Sequence, residues 1–65
     1  MYKIKEHREA LKMSQEELAE KAKISRTIIS GLETGKIQNT TTETLIAIAN
    51  ALGRNVNEIF FANDV

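Results

Sequence analysis

The 65-residue chain contains no cysteine and no proline, and only three glycines, one histidine and three aromatic residues, Tyr2, Phe60 and Phe61. Without cysteine there is neither a disulfide framework nor a thiolate metal site, and one histidine offers too few nitrogen ligands for zinc. Neither a metal nor a cofactor is expected. Nine basic and nine acidic side chains cancel to a formal charge of zero. Bulk charge therefore does not drive binding to nucleic acid or membrane, and any charged surface must be local. No apolar run approaches the roughly 20 residues that a membrane span needs, and no charged-then-apolar leader opens the chain. A soluble, cytoplasmic protein with no membrane partner is expected. The length suits one domain over residues 1–65 without a separate sensor domain, and a core this small gives marginal stability that dimerisation relieves.

With proline absent, segments are divided by caps and by Gly31, Gly35 and Gly53. Five helices emerge. The first, about residues 2–12, sets Ile4, Arg8 and Leu11 on one face, and Met13 closes its turn. Ser14 with Glu17 forms a capping box, in which each side chain satisfies a backbone donor of the other, so a second helix spans 15–22 with Leu18, Ala19 and Ala22 inward. Ser25 caps a third helix, about 25–34, with Ile28, Ile29 and Leu32 inward and Gly35 as its left-handed stop. A loop from Lys36 to Thr40 follows. Thr40 or Thr41 caps a fourth helix, about 42–52, whose spacing buries Leu45, Ile46, Ala49 and Leu52 before Gly53. Asn55 with Glu58 repeats the capping-box pattern ahead of a short fifth helix, 56–60, and residues 63–65 read as a frayed tail. No segment alternates with period two for long enough to form a strand, so the class is all-α.

Residues 15–32, QEELAEKAKISRTIISGL, satisfy the geometry of a helix-turn-helix: two helices, a short turn, and a small residue, Ala19, where they approach most closely. Ile24 plugs the turn. With Ile29 and Leu32 buried, helical phase puts Arg26, Thr27 and Ser30 on the opposite, exposed face, with Gly31 at its edge. Such a face fits a DNA major groove. The distribution of charge agrees: residues 1–36 hold eight basic and six acidic side chains, whereas 37–65 hold Arg54 against Glu43, Glu58 and Asp64.

Taken together, Ile4 and Arg8, MSQEELAEKA (13–22), ISRTIISGLETGK (24–36), ETLIAIANALG (43–53) and VNEIF (56–60) resemble, in this order and spacing, the lambda-repressor-like Cro/Xre helix-turn-helix proteins, five-helix DNA-binding regulators of bacteria and phages. The resemblance implies that Gln15 contacts a phosphate and steadies the recognition helix. It implies that Ser25, Arg26, Thr27 and Ser30 read base edges. Arg8 and Glu33 take the place of the family's internal ion pair, and Lys36, Gln38 and Asn39 that of its backbone-phosphate contacts. Elementary chemistry supports these roles, since a helix N-terminus suits phosphate and an arginine can bond two acceptors of guanine at once. Two alternatives stay open: Arg26 as a solvated surface arginine and Ser25 as a cap alone. Lys23, Lys21 and Lys12 stand within reach of phosphates, each with the alternative of a solvated lysine, and Lys23 is kept among the phosphate contacts.

The sequence also departs from the family pattern. Lys23 replaces the usual turn glycine at a left-handed position, at a cost of about 1–2 kcal/mol. Gly31 interrupts the recognition helix, at about 1 kcal/mol against alanine. It admits two readings, close approach of the backbone to DNA or simple tolerance. Ile28 reads as an extension of the core or as a contact to a thymine methyl, and His7 as a partly exposed structural residue. The proline usual before the fourth helix is missing, which suggests a looser loop. Phe60 and Phe61, adjacent on a short helix, cannot share a face. One ring is therefore expected to join Val56 in a dimer interface, the alternative being that both cover their own core.

The expectation is a homodimeric, sequence-specific regulator whose partners are double-stranded DNA and its own second copy, with no small-molecule ligand. A protein-interaction module of the same fold is the competing class. An enzyme is not expected: His7 and the Glu16, Glu17, Glu20 run are the only acid-base material, and that run reads as a solvated helix face.

Overall fold

The computed structural model describes residues 2–60 and contains five helices, with no strand among the described residues: α1 Ile4–Ala10, α2 Gln15–Ala22, α3 Arg26–Thr34, α4 Thr42–Leu52 and α5 Val56–Phe60. Phe61 and the tail expected at 63–65 lie outside the described residues. Three caps form where the sequence places them. The Ser14–Glu17 box is reciprocal, with the Glu17 amide donating to Ser14 Oγ at 3.0 Å and the Ser14 amide to Glu17 Oε1 at 2.9 Å. Ser25 Oγ accepts from the Thr27 amide, which makes Ser25 the cap of α3 and Arg26 its first residue. Of the two threonines offered for α4, Thr41 is the cap.

Gly35 and Gly53 are the left-handed stops expected of them, whereas both ends of α1 and the start of α5 differ from expectation for local reasons. At the N-terminus of α1 no side chain caps Lys3, and at its C-terminus the chain leaves the helix at Leu11, with Lys12 at φ 56° and the Met13 amide donating back to the Arg8 carbonyl. The helix is accordingly shorter than the apolar spacing suggests. Before α5 the expected box does not form: the Asn55 side-chain amide donates to the Glu58 carboxylate at 3.4 Å, and the Glu58 amide donates to the Asn55 carbonyl. Lys23 adopts φ 59°, the left-handed conformation expected at the turn position, so α2 ends on a strained residue.

The core is aliphatic apart from Phe60 and lies where α2 packs on both α3 and α4, with α5 closing against α4 and α1 touching α3, α4 and α5. Leu18, Ile29, Leu32, Ile48 and Ile4 are fully buried, and Ala19 lets α2 and α3 approach. Ile24 and Ile28 are half-buried against this core, which favours the packing role for Ile28. Ile46 was expected inside but is 43% exposed, because α4 presents Leu45, Ile48, Ala49 and Leu52 inward at i, i+3, i+4 and i+7. None of the described helices is long and apolar enough to cross a membrane.

Candidate nucleic-acid interface

The outer face of α3 carries Arg26, Thr27 and Thr34, all exposed, with Ser30 half-buried between them. Together with Lys36 from the following segment they line an open cleft of about 400 Å³ that contains two cations and no acid. Another cleft, of about 640 Å³, lies over α2 and is lined by Glu16, Glu17 and Glu20 with Lys23. Its charge disfavours a polyanion. Lys23 lines this second cleft, whereas Arg26 and Lys36 line the one on α3.

Behind the exposed face runs a chain of polar contacts. Arg8 grips Glu33 with two donors, Nε to Oε2 at 2.8 Å and Nη2 to Oε1 at 3.1 Å, and its Nη1 donates to the Met13 carbonyl at 2.7 Å. Their side chains are 10% and 3% exposed. Donating to the Glu33 carboxylate raises the Arg8 pKa above its ordinary value against the opposing effect of burial, so the guanidinium stays charged. Glu33 Oε1 also accepts from Gln15 Nε2 at 3.0 Å, and Gln15 Oε1 accepts from Arg26 Nε at 3.4 Å. The buried pair thus orients Gln15 at the start of α2, and Gln15 in turn steers Arg26 at the start of α3. The Arg26 side chain makes no other protein hydrogen bond among the described residues, which leaves its two terminal nitrogens for an external acceptor.

Gly31 has a packing reason that neither of its two readings named. It is buried, and a Cβ there would stand 2.5 Å from Ile37 Cδ1 and 2.6 Å from Cγ1. The helix lacks a side chain at this point so that Ile37 can lie against it, and the Ile37 amide donates to the Gly31 carbonyl at 3.0 Å. The segment that carries Lys36, Gln38 and Asn39, expected to be loose, is fastened to α3 by this contact. All three side chains are exposed, and Gln38 Nε2 also reaches the Gly35 carbonyl at 3.4 Å. Sequence reasoning missed Thr34 and Ile37. Thr34 was legible, one turn beyond Ser30 on the same face; Ile37 was signalled only as a lone apolar residue in a polar stretch.

Of the residues expected at a dimer interface, Phe60 is 7% exposed and packs into the chain's own core. Val56 is half-buried against the same core.

A family model described as Helix-turn-helix matches residues 4–59, nearly the whole chain, and spans every element that builds this face. The chain belongs to the lambda-repressor-like Cro/Xre helix-turn-helix family. As in that family, α2 and α3 form a DNA-binding helix-turn-helix domain, and the family is a regulatory one rather than an enzyme class. No curated protein compared with the chain matches it.

Proposed function

We propose that this Cro/Xre protein is a sequence-specific transcriptional regulator that binds a palindromic operator as a homodimer, with α3 in the major groove. The observation that carries the reading is the cleft on the outer face of α3, where Arg26 and Lys36 stand without an acidic neighbour while hydroxyl groups line the helix between them. In this reading Ser25, Arg26, Thr27 and Ser30 face base edges, and Thr34 joins them one turn further on. Gln15, Lys36, Gln38 and Asn39 face the sugar-phosphate backbone. Arg26 is the main specificity residue, since its free guanidinium edge matches the paired acceptors of guanine.

A two-fold dimer presents two copies of α3 to half-sites one helical turn apart, about 34 Å. Val56 and Phe61 remain the interface candidates, Phe60 being committed to its own core. Bound across a promoter in a bacterial or phage-infected cell, such a dimer represses by occluding polymerase. Selection of bound duplexes from a randomised DNA pool, using protein shown to be folded, tests the reading. Enrichment of an inverted repeat with one-turn spacing is the expected result. Absence of any enriched motif contradicts it and favours a protein-interaction module of the same fold.

A further inference from the structure

We propose that Tyr2 is a positioning residue for the backbone-facing segment 35–41, holding Lys36, Gln38 and Asn39 in register with α3 from a seat on α5. This segment has no helix or strand of its own. On one side Ile37 fastens it to Gly31. On the other, the carbonyl of Gln38 accepts a hydrogen bond from the Tyr2 hydroxyl at 2.8 Å, between residues 36 apart in the chain. Tyr2 is itself held: its ring meets Phe60 edge to face with centroids 4.7 Å apart and planes at 73°, and the next residue, Lys3, donates its amide to the Ile59 carbonyl at 2.9 Å.

The hydroxyl is the part of Tyr2 that bears on DNA binding. Apolar packing against Phe60 needs only the ring, so a phenylalanine would serve it equally well. The hydroxyl instead points at the segment that carries the backbone contacts, one residue beyond Ile37. With it, two successive residues, Ile37 and Gln38, are both fixed; without it, Gln38 keeps only its long side-chain contact to the Gly35 carbonyl beside the Ile37 anchor. Tyr2 and Phe60 both fall outside the stretch that matches the family model, residues 4–59.

The inference rests on the proposed DNA-binding reading, and Tyr2→Phe separates the two. The variant keeps the ring, so its thermal midpoint and circular dichroism should match those of the unaltered chain. Exchange of the Ile37 amide, followed by NMR without DNA, should quicken several-fold. Binding to a labelled duplex of mixed sequence, measured over a series of salt concentrations, should lose about one unit of the log–log salt slope, the signature of one phosphate contact fewer. A role confined to core packing would leave that slope unchanged. Equal slopes and equal Ile37 exchange in the two proteins overturn the positioning role while leaving the DNA-binding reading intact. Failure of the unaltered chain to bind the duplex even at low salt overturns both.

Discussion

The α2–α3 pair and the segment 35–41 supply the two halves of the proposed DNA face and are held by different physics. The helices are fixed by elements close in sequence: a reciprocal box at Ser14 and Glu17, a cap at Ser25, and the periodic burial of Leu18, Ile29 and Leu32. The segment has no such local code. It is placed by a side chain lying on a glycine and by a tyrosine from the other end of the chain. Caps and periodic burial thus set the helices of the proposed base-reading surface, and individual contacts, one spanning 36 residues, hold the segment proposed to face the backbone.

The α2–α3 pair is most vulnerable at Glu33, which supports both helices from behind. Glu33→Ala leaves the Arg8 guanidinium buried without its partner, at a cost of about 3 kcal/mol, and frees Gln15 and with it Arg26. Urea denaturation should show a lower midpoint at unchanged slope. Because the pair raises the Arg8 pKa, its contribution is fully present below the ordinary guanidinium value and fades only as pH rises through the raised one. The stability of the unaltered chain should therefore show no loss traceable to Arg8 across the neutral range.

A smaller effect is expected at the junction of the two regions. Gly31→Ala gains about 1 kcal/mol of helix propensity but drives a methyl into Ile37, and overpacking of this kind costs about 1–3 kcal/mol. Net destabilisation of about 1 kcal/mol follows. Pairing it with Ile37→Ala should recover part of that loss, a coupling that a double-mutant cycle in urea measures. Additive behaviour would remove Ile37 as the reason for the glycine.

The smallest change sharpens the contrast from the other side. Lys23→Gly relieves a left-handed lysine at φ 59° and should stabilise the chain by about 1 kcal/mol in thermal denaturation. Since Lys23 lines the acidic cleft over α2, DNA affinity should stay within about twofold of the original. A fall in affinity would restore Lys23 to the phosphate contacts.

What was legible in the sequence follows the same division. Helix positions, the caps at Ser14 and Ser25, the left-handed Lys23, the Arg8–Glu33 pair and the exposed face of α3 all rest on spacing of a few residues or on a family pattern. Ile46 was misplaced because α4 is apolar on more than one side, so periodicity alone did not choose between Ile46 and Ile48. The left-handed Lys12 carried no cap signal. The fastening of residues 35–41 was invisible, because nothing near Ile37 or Gln38 in the chain announces Gly31 or Tyr2 as a partner. Gly31 drew explanations involving DNA or tolerance when its neighbour was six residues away.

The central claim is that α3 reads bases while segment 35–41 holds the backbone. It is tested most directly by comparing Arg26→Ala and Lys36→Ala on a selected duplex and on a mixed-sequence duplex over a range of salt. Arg26→Ala should lose about 1–3 kcal/mol on the selected duplex alone and relax preference at one position per half-site. Lys36→Ala should weaken both duplexes alike and lower the salt slope by about 0.9. Equal losses on the two duplexes for Arg26→Ala, or a sequence-dependent loss for Lys36→Ala, would contradict the account.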